Sequence, residues 1–322
     1  MGIAGSGWIW HNRIGFPVYC TQTIISFMAQ LITLGSLIDR TVEHYRSHFK
    51  ELIGITLWVI VAAAPFLLSG YIAPFGIDEF TPTNETIAYI TTNVIGLITT
   101  TLASLWIAAC LIYTIDARAK GSTPDHVALG KKSWKVIPSL FVLSALIAIV
   151  LIAAAVVMIL PRILIMVFNS GTGTMGAVLG ILGVLLLFAG FIGAVYTLVR
   201  YSIELAFAQY VLVLEGNVGK FSFAALRKAV KQSRTYVRGN WWAVAIRLFV
   251  PNAIISLIVI GFSLVLNISA TIMLSFAAPA LSALAIKLIS IGLTLSLFIL
   301  NAVVMPLYSL ATYYLYDSVA KR

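Results

Sequence analysis

Four cations, Arg227, Lys231, Arg234 and Arg238, recur at steps of three and four in a chain that is otherwise poor in charge. On a helix they form one stripe, centred roughly a quarter turn from an apolar arc of Phe223, Leu226, Val230 and Val237. Cations beside an apolar arc, rather than opposite it, are placed to meet phosphates while the arc dips into acyl chains. Each such cation contributes about 1 kcal/mol on an anionic surface. The chemistry on offer is lipid-headgroup contact, and these four are the candidate contact residues.

Two other spacings invite chemistry. His44 and His48 share a helix face, with Glu43 and Glu51 nearby, a pattern that can hold zinc. It lacks the adjacent His-Glu of a metalloprotease and a third ligand, so a polar interfacial face is expected. Arg200 and Glu204 sit four apart as a gate pair or a helix-end ion pair. The sequence shows no phosphate-cradling glycine loop, no Ser-His-Asp set and no paired carboxylates within an apolar run. Neither enzymatic activity, cofactor nor metal is expected.

The elements that must carry these residues are set by an unusual composition. Charged residues make up 10% of the 322 and apolar ones 61%, with a mean hydropathy of +1.02. Ordinary soluble domains are roughly a quarter charged, and so few charges could not clothe the surface of one this size. Lipid is the solvent that removes the difficulty. The expected fold is all-α and polytopic, with residues 1–30 as a pre-span segment and 31–322 as one six-helix membrane domain. Apolar runs long enough to cross a bilayer fall at 53–74, 87–115, 139–160, 175–199, 241–265 and 281–305. A weaker run, 14–37, is interrupted by Pro17, Gln22 and Gln30 and reads as interfacial.

The net charge of +10 would suit nucleic acid, but its distribution argues for topology instead. Cations gather before the first run, between the second and third, between the fourth and fifth, and at the C-terminus. The alternate loops hold only Arg162 among the cations, alongside Asp78, Glu79 and Glu85. By the positive-inside rule the cation-rich side is cytoplasmic, which puts both termini there, as in a cell (inner) membrane protein. Its partners are then the bilayer and anionic headgroups, not nucleic acid. Arg247 and Lys287 lie within runs but near their ends, where they can snorkel.

The cytoplasmic segments are themselves patterned. Leu34, Ile38, Val42, Tyr45, Phe49 and Leu52 make one face of an amphipathic helix, expected flat on the inner leaflet. Ser122-Thr123-Pro124-Asp125 starts a helix leading to Lys131, Lys132, Trp134 and Lys135. With 223–238 these suggest a threefold repeat of basic amphipathic helix, span, outer turn and span, with Tyr45, Trp134 and Tyr236 at comparable places. Pro161 and Pro306 are expected to end or bend their spans. The run 175–214 would be about 60 Å long if unbroken, so it must protrude or turn.

The stretch YVLVLEGNVGKFSFAALRKAVKQSRTYVRGNWWAVAI from Tyr210 resembles the membrane domain of glycerophosphoryl diester phosphodiesterases and related stand-alone bacterial and archaeal inner-membrane proteins. The matching features are Leu214-Glu215-Gly216, Ala225-Leu226-Arg227 and Trp241-Trp242. LGSLIDRTVEHYRSHFKELI is similar to that family's opening helix and MPLYSLATYYLYDSVAKR to its closing one. The resemblance implies architecture alone, because in fused members the chemistry belongs to a separate soluble barrel with a His-Arg start. Here the four histidines are followed by Asn12, Tyr45, Phe49 and Val127. Two functions stay open: a non-enzymatic protein that organises lipid or a partner complex, or a small-molecule transporter or channel built on the repeat.

Overall fold

The computed structural model describes residues 31–72, 84–168, 174–216, 222–277 and 282–321, which are helical with short turns between. The expected pre-span segment 1–30 and the outer-loop acids Asp78 and Glu79 lie outside the described residues. Helix α1 (Leu34–Ser47) starts at Thr33, whose hydroxyl accepts from the Ser36 amide at 3.3 Å. Then come α2 (Phe49–Thr56), α3 (Trp58–Ala62) and α4 (Ala64–Ile72). Long helices follow: α5 (Asn84–Ala119), α6 (His126–Phe168) and α7 (Thr174–Leu205). A single turn, α8 (Ala208–Tyr210), and a π-helical segment (Val211–Glu215) lead to α9 (Phe223–Val237), α10 (Trp241–Ala277) and α11 (Ala283–Ala320).

Five of the six expected spans fall in α5, α6, α7, α10 and α11, each long and apolar enough to cross a membrane. The stretch expected as the first span is built differently, from α2, α3 and α4. The Ile60 amide bonds the Leu57 carbonyl and the Phe66 amide bonds that of Ala63, both three residues back. These tighter turns interrupt the α-helix, and Pro65, with no N–H to give, sits in the second. By contrast α6 passes Pro161 and α11 passes Pro306, so of the two expected outcomes, ending or bending, neither proline ends its helix. Neighbouring helices and turns absorb one missing backbone bond inside a long apolar helix.

The three units that suggested a repeat differ in construction. The amphipathic segment is separated from the following stretch at His48 in the first, fused into one 43-residue helix in the second, and cut off by Arg238–Asn240 in the third. That last break depends on Gly239, whose φ of +89° a side-chain-bearing residue adopts only with strain.

The core lies mostly at the cation-rich end. Ile107, Leu111, Ile112 and Ile115 of α5, Phe207–Val213 and Leu310–Val319 of α11 supply much of it. Farther along α10, Phe249, Leu257 and Ile258 stand exposed, which suits a lipid-facing surface. Helix α11 packs against α1, α2, α3, α4, α5 and α10. Its tyrosines knit the cation-rich end together. Tyr313 Oη donates to Asp116 of α5 at 3.0 Å, and Tyr316 Oη donates to Glu215 at the end of the π segment. Glu215 also receives Tyr236 Oη and Gln232 Nε2 from α9.

Candidate functional site

Helix α9 exists because Ser222 caps it, accepting from the Ala224 amide at 3.2 Å, and because Gly239 stops it. Its inward face is Leu226, Ala229, Ser233 and Val237. That face meets protein, whereas the sequence assigned an apolar arc to the acyl chains. Ala229 and Ser233 are small enough to let the helix approach α7, and Ser233 Oγ donates to the Glu204 carbonyl at 2.7 Å. Phe223 of the expected arc is 70% exposed.

This docking turns Arg234 towards the end of α7. Its Nε lies 3.2 Å from Glu204 Oε2, while Arg200 Nε donates to Glu204 Oε1 at 2.9 Å. The Arg200–Glu204 spacing is thus an ion pair at the helix end, shared with a third residue from another helix. Arg200 Nη1 also donates to Tyr196 Oη at 3.3 Å, and the Arg234 guanidinium lies 5.7 Å from the Tyr201 ring centre. Arg238, Trp241 and Trp242 complete an open groove of about 980 Å³. The two indoles meet edge-on at 4.7 Å, and Trp241 Nε1 is buried with no hydrogen-bond partner among the described residues. Three guanidinium groups against one carboxylate leave the groove cationic.

The four candidate residues therefore part company. Arg234 and Arg238 line the groove, together with Arg200 from a different helix. Arg227 and Lys231 are exposed on α9 and do not reach it. The expected stripe is split, since Arg238 follows the end of α9, and it does not include Arg200, because α7 and α9 meet only in the fold.

Elsewhere the structure revises several expectations. α1 packs on α11, burying Leu37, Thr41 and His44, while Val42 and Phe49 of the expected interfacial face stay exposed. His44 Nδ1 lies 2.7 Å from Tyr314 Oη, and no group of three or more potential metal ligands occurs among the described residues. Arg247 Nε donates to the Ile32 carbonyl at 2.7 Å and its Nη1 to that of Ala243 at 3.0 Å. Tyr45, Trp134 and Tyr236 do different work. Tyr45 Oη donates to the Val303 carbonyl, Trp134 lies beside Trp106, and Tyr236 bonds Glu215. The tyrosine network of α11 escaped the sequence reading, although the run YSLATYYLYD signals a helix end needing polar partners. No protein family, curated protein or solved structure matches the chain.

Proposed function

We propose that this chain is a non-enzymatic, six-span inner-membrane protein with both termini in the cytoplasm. It holds anionic phospholipid headgroups in the groove of Arg200, Arg234 and Arg238. The observation that carries this reading is three arginines converging from two helices and a turn onto an open groove with one carboxylate and two indoles. Arginine suits phosphate because its planar donors bind two oxygens at once. Tryptophan suits the same depth, since its apolar ring and polar N–H prefer the membrane boundary. The family resemblance fits such an architecture but supplies no reaction.

The transporter reading has less support. A cavity of about 260 Å³ between α5, α6 and α7 is lined mainly by Leu, Ile, Val and Ala, with Ser144, Ser202 and Gln209 among them. It contains no carboxylate or cation to couple an ion gradient.

The test is lipid-dependent thermal stability of the purified protein in neutral detergent. Anionic phospholipid should stabilise it more than zwitterionic lipid does. Replacing Arg200, Arg234 and Arg238 with Gln should remove most of that difference, about 3 kcal/mol at about 1 kcal/mol per cation. Replacing the outlying Arg227 and Lys231 should remove much less. An unchanged difference in the groove variant refutes the reading. Accessibility labelling that puts 131–135 and 227–238 on opposite faces refutes the topology.

A further inference from the structure

A second cleft, of about 480 Å³, lies where α2 and α3 meet α5 and the start of α6, apart from the arginine groove. Such a volume is in the range of small-ligand sites. Lys50 and Arg118 supply cations and His126 an imidazole around one carboxylate, Glu51, while Trp58 and Trp106 form walls with ring centres 6.4 Å apart.

Two of its polar groups are left wanting. Arg118 Nε donates to Glu51 Oε2 at 2.9 Å, but the other oxygen, Oε1, is buried and accepts no hydrogen bond among the described residues. Its near neighbour is His126 Nε2 at 3.3 Å. Thr114 is only 1% exposed, and its hydroxyl has no partner among the described residues. Thr41, Thr56, Thr92 and Thr312 each give their hydroxyl to a carbonyl one turn back, the usual way to bury a helical threonine. Thr114 does not, and it lines the cleft. A buried carboxylate oxygen with only an imidazole nitrogen at 3.3 Å beside it, and a buried hydroxyl with no partner among the described residues, are costly in one cavity unless a ligand completes them.

We infer that this cleft binds an aminoalkyl phosphate of the phosphoethanolamine type. The phosphate meets Arg118, Lys50 and His126, and the primary ammonium donates to Glu51 Oε1 and sits against the indoles. A plain phosphate brings no ammonium to Glu51 Oε1 and adds like-charge repulsion. A trimethylammonium group also suits the indole faces, but it has no N–H for Glu51. The chemistry is common to a phospholipid headgroup and to the free compound. His126 and Lys50, at the cleft's edge, can accept either.

The experiment measures binding to the purified full-length protein in neutral detergent by calorimetry. The probes are soluble phosphoethanolamine, soluble phosphocholine, and the short-chain phospholipids that carry each headgroup. The ethanolamine forms should bind at least tenfold tighter than the choline forms. Glu51→Gln should abolish that preference. Lys50→Gln, on the rim, should weaken both headgroups alike without disturbing the Glu51–Arg118 pair, and so remains informative if Glu51→Gln fails to fold. Tight binding of the soluble compound assigns a free metabolite; binding of the lipid alone assigns a headgroup. Equal affinity for ethanolamine and choline forms, absence of binding by all probes, or unaltered binding in Lys50→Gln overturns the inference. The Arg200, Arg234 and Arg238 variant should leave these values unchanged, so failure here is separable from failure of the groove.

Discussion

Acidification should destabilise this protein through His44, a residue that carries no charge in its folded setting. His44 is 8% exposed, and its imidazole is held down at about 4 against an ordinary 6.5. Burial is the main cause, and the neighbouring His48 ring and Arg118 add to it, with Glu51 opposing. Geometry points the same way: Nδ1 is taken up by Tyr314 Oη, and Nε2 is buried with no acceptor for a second proton among the described residues. Between pH 6.5 and 4 the unfolded chain binds a proton at this position that the folded chain refuses, so stability falls as pH falls through that window. At about 1.36 kcal/mol per pH unit the loss is about 2 kcal/mol at pH 5 and about 3 kcal/mol once both forms are protonated. Above the ordinary value the residue contributes no pH dependence. His44→Asn keeps a polar atom near the Nδ1 position but removes the titration. Heating both proteins in neutral detergent across about pH 7.5 to 4.5, and scoring the monodisperse fraction by size exclusion, gives the comparison. The wild type should lose stability more steeply than the variant in that window. Parallel curves would refute the argument.

Two further outcomes follow from packing and hydrogen bonding. A Cβ on Gly216 would fall 2.1 Å from the Leu212 carbonyl oxygen, so Gly216→Ala should spring the π turn that presents Glu215 to Tyr236 and Tyr316. It should lower the thermal midpoint by the equivalent of roughly 1–3 kcal/mol, and an unchanged midpoint would contradict the close approach. Tyr313→Phe removes a buried hydroxyl's bond to Asp116 and should cost about 1.5–3 kcal/mol. Lys120→Gln breaks the exposed pair with the same Asp116 and should cost less than about 1 kcal/mol in the same melt. Equal losses would show that the tyrosine network does not hold the cation-rich end together.

The apolar runs made the long helices legible in the sequence, because a bilayer fixes how many residues a crossing helix needs. Local chemistry was legible too. Asp125, read as a helix start, accepts from the Val127 amide at 3.0 Å and the Ala128 amide at 3.2 Å. The run 175–214, expected to protrude or turn, is broken after Leu205 and continues as a short helical turn and a π segment to Glu215. What periodicity could not reveal was the partner of each apolar face. A stripe such as Leu34–Ile38–Val42 looks alike whether it meets acyl chains or another helix, since lipid is as apolar as leucine. Tertiary structure alone decided that α1 turns Leu37, Thr41 and His44 onto α11. It also brought Arg200 to Arg234 and Arg238, and placed Thr114 in the lining of the second cleft. Spacing along one helix fixes an angle about its own axis; convergence of side chains from separate helices depends on how those axes cross, and that is settled only by packing.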